Sequence, residues 1–273
     1  KTIIKTILGI LYKVEIKGLE NYHNISGNSV IVANHTSFLD AALIAAFLPD
    51  RLSFAVDTQI AKKWYFKPFF KMANILPVDP TNPMAVKSMI NLVKNGKKLM
   101  IFPEGRITMT GTLMKVYSGP AVIANNADAV IVPIRIDGAQ YTPLSRLKGR
   151  VRLKLFPKIT LTVMPAQKLS VDPELTASEK RNVLSSKLYD LMVELVFKTS
   201  NYEKTLFSSL IDAAKINGFS HKIIEDFTFK SLNYRQLITK SFGLGSVIAK
   251  ISKQKEFVGV LLPNSNSTAV TFF

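Results

Sequence analysis

The feature that most constrains this chain is a series of short apolar runs, each bounded by turn residues and separated by helical patterns. Val30-Ile31-Val32-Ala33, Leu99-Met100-Ile101-Phe102 and the run at 130–136 are too short for helices and show no polar alternation. They read as buried strands. Residues 52–56 and 75–78 add two more strands, and 12–17 alternates like another. Between them, residues 1–12, 41–48, 82–95 and 119–126 carry helical patterns, with Gly96 as a stop. Strands alternating with helices predict an α/β fold, a mixed sheet flanked by helices. Pro133 inside the 130–136 run predicts a strand end or a bulge there. Residues 151–156 and 159–164 predict a hairpin or strand pair. A long helix follows over 177–198, and Thr199-Ser200-Asn201 reads as a boundary.

Of the 273 residues, 47% are hydrophobic, enough for a sizeable core. Lys and Arg number 36 against 19 Asp and Glu, a net charge of +17. That excess favours anionic partners: nucleic acid, an anionic membrane face, or an acidic carrier. The chain has no cysteine, which excludes disulfides and thiolate chemistry. No apolar run approaches the roughly 20 residues of a membrane-spanning helix, and the N-terminus lacks the order of segments in a signal peptide. A start without Met and an apolar end at Val270-Thr271-Phe272-Phe273 predict a fragment of a longer chain.

Two stretches carry chemistry. In Asn34-His35-Thr36-Ser37-Phe38-Leu39-Asp40, a histidine sits at a strand-to-helix turn with a carboxylate five residues on. Five residues of ideal helix would hold the two side chains about 140° apart. With His35 in the turn and Asp40 in the first helical turn, the carboxylate can reach back to one ring nitrogen. The other nitrogen is then free to take a proton from a hydroxyl. The plainer alternative is a polar turn followed by a helix-start acid. The second stretch, Phe102-Pro103-Glu104-Gly105-Arg106-Ile107-Thr108, leaves the C-terminal end of a strand, where ligands bind in open α/β sheets. Gly105 permits close backbone approach, and Arg106 offers a planar fork for a phosphate. Here the alternative is a turn with a surface salt bridge. Ile4, Ile7, Leu8 and Leu11 among lysines make a basic amphipathic helix, suited to a membrane interface or to covering the domain edge. The run of five aromatics and lysines at 64–71 fits a membrane–water boundary, stacked single-stranded bases, or an ordinary packed helix pair.

Together, His-x4-Asp, Phe-Pro-Glu-Gly-Arg and Val132-Pro133-Ile134-Arg135-Ile136, in that order, resemble the glycerophospholipid acyltransferase family, the lysophosphatidic-acid-acyltransferase-like enzymes. The resemblance covers about residues 10–170. It implies acyl transfer from acyl carrier protein or acyl-CoA to a lysophospholipid, with His35 and Asp40 catalytic and Glu104, Gly105 and Arg106 binding the acceptor. It also implies no cofactor or metal for the transfer, and an anionic membrane surface as partner. The family's second block is altered: in Asn74-Ile75-Leu76-Pro77-Val78-Asp79-Pro80, Pro80 stands where many members place a phosphate-holding Arg. This shifts the expected acceptor from lysophosphatidate towards 2-acylglycerophosphoethanolamine.

Residues 201–273 resemble the opening of the AMP-forming acyl-activating superfamily, with a Leu-x-Tyr-x-x-Leu helix start at 232–237 and a Val-Gly-Val-Leu-Leu-Pro-Asn strand at 258–264. The implied organisation is an acyltransferase domain at 1–200 and a truncated start of an α/β ligase domain at 201–273. ATP and Mg would belong only to the absent remainder of that ligase. This order resembles bifunctional bacterial acyltransferase/acyl-carrier-protein synthetases, which implies the cytoplasmic face of the bacterial inner membrane. The competing class is a non-catalytic basic lipid-binding module, in which replacing His35 changes nothing. A nucleic-acid partner is not expected, because no recognition motif accompanies the charge.

Overall fold

The structure, a computed structural model, describes residues 1–62, 73–79, 82–253 and 256–273. The aromatic run at 64–71 and Pro80 lie outside them. The described chain divides into two units, Lys1–Lys148 with Leu153–Ser200, and Gly149–Arg152 with Asn201–Phe273.

The first unit begins with α1 (Thr2–Tyr12), β1 (Glu15–Lys17) and α2 (Leu19–His23). It continues through β2 (Ser29–Ala33), α3 (Asp40–Phe47), β3 (Ser53–Asp57), α4 (Thr58–Ala61) and β4 (Asn74–Val78). Then come α5 (Pro83–Lys94), β5 (Leu99–Ile101), α6 (Gly119–Asn126), β6 (Val130–Asp137), β7 (Thr160–Val163) and α7 (Ala177–Thr199). Among the described residues, seven strands form one sheet in the order β1-β7-β6-β2-β5-β3-β4. The run from β6 to β4 is parallel throughout. β7 is antiparallel to β6, and β1 pairs parallel with β7, which makes the sheet mixed.

The unbroken apolar character of β2 follows from its place. It lies between β6 and β5 with all five residues buried. Ile31 and Ala33 point into a layer with Leu43, Ile44, Phe54 and Ile134. Val30 and Val32 point into the opposite layer with Val93, Ala121, Leu188 and Met192. A strand covered on both faces has no solvent side, so nothing selects for polar alternation. α7 opens with a capping box that the sequence reading did not identify: the Thr176 hydroxyl accepts from Glu179 N, and the Glu179 carboxylate accepts from Thr176 N. α1 packs Leu8 and Tyr12 inward and leaves Ile3, Ile7 and Ile10 exposed. Among the described residues no helix is long and apolar enough to cross a membrane.

One local expectation is corrected and a second is met in part. Residues 151–156 form no strand, because both edges of β7 are taken, by β1 and by β6, and no edge remains for a hairpin partner. Pro133 lies within β6 rather than at its end, opposite an extra residue in the partner chain between Val163 and Gln167. Its carbonyl accepts from Met164 N, and the next β6 bond towards this side is Ile131 with Gln167. The missing proline N–H therefore faces the stretch after Met164, where the neighbouring chain has left the ladder.

The second unit contains α8 (Leu206–Asn217), β8 (Lys222–Glu225), β9 (Ser231–Asn233), α9 (Tyr234–Ile251) and α10 (Asn266–Phe272). β8 and β9 pair antiparallel. Leu210, Ala214, Leu232, Tyr234 and Leu237 form its core, with Val270 and Phe273 packed against them. The strand expected at 257–262 does not form. A strand exists only in a ladder, and among the described residues this stretch has no ladder partner, leaving Phe257 and Leu261 almost fully exposed.

Candidate active site

β2 and β5 are parallel neighbours, so the loops that follow them emerge side by side at the carboxyl edge of the sheet. The β2 loop is fixed first by Asn34, which is buried. Its carbonyl oxygen accepts from Ile136 N at 2.8 Å and its amide donates to Ile136 O at 2.9 Å, a two-point clamp onto β6. One residue on, His35 is held by the β5 loop: its N–H donates to Glu104 Oε1 at 2.8 Å and its carbonyl accepts from Thr108 N at 2.8 Å. The imidazole stacks on the Phe102 ring, with centroids 4.1 Å apart and planes 14° off parallel.

Asp40 is fully buried at the first position of α3. Its Oδ2 accepts from His35 Nδ1 at 2.9 Å, Thr36 N at 2.6 Å and Ser37 N at 2.8 Å. The geometry is that of a carboxylate folding back across its own turn onto the ring. A carboxylate only accepts, so Nδ1 carries the proton and Nε2 presents a lone pair. The turn N–H groups of Thr36 and Ser37 supply the remaining donors, which is why a buried carboxylate can sit here.

Glu104 occupies a different place from the one expected. It is buried beneath the loop, its two oxygens accepting from His35 N and Met114 N, and does not line the cleft. Burial pushes its carboxyl above the usual glutamate range, against the pull of those two N–H groups. Arg135 of β6 lies behind it, its guanidinium held below the usual arginine range by burial and pulled back by Asp137 and Glu104. Glu104 thus braces the turn that carries His35.

The cleft itself, about 190 Å³, is lined by His35, Phe38, Phe54, Phe102 and Ile107 together with Gly105, Arg106 and Arg146. Gly105 adopts φ +66°, a left-handed conformation that turns the loop sharply. Arg106 is exposed and, among the described residues, makes no ion pair. The structure therefore places His35, Gly105 and Arg106 on one cleft, with Asp40 buried and bonded to His35, and Glu104 buried outside the lining. Arg146 and Phe38 were not assigned roles from the sequence. Arg146 lies in a basic stretch some forty residues after Arg106, and nothing local marks it. Ser37 is fully buried, its Oγ bonded to Thr142 Oγ1 at 3.1 Å and to Leu39 N, so it is not presented as a nucleophile.

An imidazole oriented by a buried carboxylate, lining a largely apolar cleft with guanidinium groups, is an arrangement able to take a proton from a hydroxyl. Residues 13–137 match the model of the family described as Acyltransferase. The chain is 28% identical over 153 residues to 1-acyl-sn-glycerol-3-phosphate acyltransferase of Bacillus subtilis, covering 55% of this chain and 75% of that protein. It is 29% identical over 131 residues to a chloroplastic 1-acyl-sn-glycerol-3-phosphate acyltransferase of Arabidopsis thaliana, covering 46% of this chain and 36% of the relative. This chain thus spans little more than a third of the plant protein's length. In fold it is similar to the crystal structure of the 1-acyl-sn-glycerophosphate acyltransferase PlsC from Thermotoga maritima. That likeness has a TM-score of 0.53 at 22% identity, over 72% of this chain and 79% of the other.

Proposed function

We propose that this protein transfers a fatty acyl group from a thioester to the free hydroxyl of a lysophospholipid. The observation that carries the reading is the His35 Nδ1–Asp40 Oδ2 bond at 2.9 Å, with His35 lining a cleft that also holds Arg106. His35 Nε2 takes the hydroxyl proton as the acceptor oxygen attacks the thioester carbonyl. The new C–O bond forms, the tetrahedral intermediate collapses with loss of the C–S bond, and the imidazolium returns its proton to the departing sulfur. Asp40 holds the tautomer and supports the imidazolium. No enzyme nucleophile is required, in keeping with the buried Ser37, and the step calls for no cofactor.

A lysophosphatidate-like acceptor is supported by the activity named for the relatives above. A second reading, 2-acylglycerophosphoethanolamine, is favoured by Pro80 in place of the family's Arg and by the acyl-activating-like sequence at 201–273. On that reading the chain comes from a bifunctional acyltransferase/acyl-carrier-protein synthetase. The net charge of +17 supports an acidic donor, acyl carrier protein or acyl-CoA. With the exposed isoleucines of α1 it also supports work at an anionic membrane surface, the cytoplasmic face of a bacterial inner membrane.

The test offers wild type and His35→Ala a labelled acyl thioester with each lysolipid. Loss of a general base should lower turnover by about 10²- to 10⁴-fold. Turnover that survives the substitution intact would reject the mechanism, and the faster acceptor decides the head group.

A further inference from the structure

The cleft holds a second guanidinium that no sequence motif marks. Arg146 lies on the segment that follows β6, and this segment is fastened to the catalytic turn. Phe38 N donates to Leu144 O at 3.1 Å, and Ser37 and Ser145 form a bridge. Thr142, fully buried, bonds Ser37 Oγ and donates its own hydroxyl to Ala139 O at 2.8 Å. On the other side Leu147 is buried to 1% exposure. Arg146 is therefore an exposed side chain between two anchored residues. Its guanidinium lies over the Phe38 ring, 5.6 Å from the centroid, and among the described residues it makes no ion pair. A cation held over a ring face spends no N–H group on a carboxylate.

The other charged lining groups are Arg106 and Asp57. Asp57 is engaged as the cap of α4, accepting from Gln59 N at 2.7 Å. The two arginines, from loops after β5 and β6, are thus cations without carboxylate partners bordering an apolar cleft beside His35. Two such guanidiniums match the oxygens of one phosphate. We infer that Arg146, held over the Phe38 ring, grips the acceptor's phosphate together with Arg106 and so sets the distance from the head group to His35. The inference rests on the acceptor reading above. It supplies from the segment after β6 a cation of the kind that Pro80 removes from the family's second block.

The experiment separates the two claims by measuring binding without any acyl donor. Wild type, Arg146→Ala, Arg146→Lys and Phe38→Leu are titrated with sn-glycerol 3-phosphate and with sn-glycero-3-phosphoethanolamine, and lysolipid turnover is measured separately. Losing a charge-assisted fork should weaken phosphate binding by about 10- to 100-fold in Arg146→Ala. Arg146→Lys should recover part of it, and Phe38→Leu should lose less. In turnover the loss should fall on KM for phosphate-bearing acceptors and spare a monoacylglycerol. A loss confined to the monoester identifies a lysophosphatidate head group, and a loss on both probes includes the diester. Unchanged binding of both probes in Arg146→Ala, or no binding by wild type, overturns the inference. Arg146-dependent binding in a wild-type protein that turns over no lysolipid upholds the anion site and rejects acyl transfer instead.

Discussion

Asp40 is held by more than its partner imidazole. Its Oδ2 serves three donors, of which two are main-chain N–H groups of the turn that carries His35. Replacing it with asparagine turns an acceptor-only group into one that must present an N–H₂ or a single oxygen to those donors. One outcome is a ring in the wrong tautomer, and another is a buried N–H without a partner. Asp40→Asn should therefore lower kcat by at least about 10²-fold and lower stability by about 1–3 kcal/mol. Matched kinetics and thermal unfolding check both. Normal kcat with reduced stability would make Asp40 a purely structural cap. Glu104 gives the residue scale a pH signature. Because burial raises its folded pKa above that of the unfolded chain, its protonation favours the folded state. That contribution is complete below the ordinary glutamate pKa and is lost as pH rises through the folded value. Glu104→Gln removes the titration, so the melting-temperature difference, variant minus wild type, should climb as pH rises across that window. A difference independent of pH would contradict the raised carboxyl.

At the scale of elements, the loops after β2 and β5 act as a pair because the strands that deliver them are hydrogen-bonded neighbours. Asn34 ties this pair to β6 through both atoms of its amide, replacing two ladder bonds where β2 has ended. Asn34→Ala leaves both Ile136 main-chain groups without that partner in a buried setting, a cost of about 1–3 kcal/mol for each group left unsatisfied. The melting temperature should fall accordingly, with kcat reduced because the His35 turn loses its anchor, and an unchanged melting temperature would show that water replaces the clamp. Much of this level was legible in the sequence. The apolar runs of β2, β5 and β6, the stop at Gly96 and the His-x4-Asp turn each follow from a local rule. What was not legible depends on partners distant in sequence. The failure of 151–156 to pair is decided by β1 and β6 occupying both edges of β7, and Pro133 is tolerated mid-strand because of where residues 164–166 run. In the same way Glu104 reads as a ligand-facing acid until the structure shows His35 N of the neighbouring turn and Met114 N of its own loop directed at it. Arg146 reaches the cleft only through the anchoring of Thr142 and Leu147.

For the whole molecule, the division at Ser200 has a consequence that truncation can test. Both large core layers, the seven-stranded sheet, and every residue of the cleft belong to the first unit. The second unit has a small core of its own and carries an apolar stretch, 257–262, whose Phe257 and Leu261 are nearly fully exposed. Residues 1–200 should then fold without the rest, because they hold the whole first unit with both large core layers, and a unit of this size holds a core sufficient for cooperative unfolding. We expect the 1–200 fragment to melt in a single transition and to match the full chain in lysolipid turnover. Exposed apolar groups recruit hydrophobic dyes, so the fragment should also bind less of such a dye than the full chain does. Dye fluorescence, a melting curve and an acyl-transfer assay on the two proteins check the three expectations together. A fragment that binds more dye and melts without a transition would mean that the sheet depends on residues 201–273 for its cover. A fragment that folds but loses turnover would place part of the catalytic apparatus in the second unit, against the assignment of the reaction to His35, Asp40 and the two arginines.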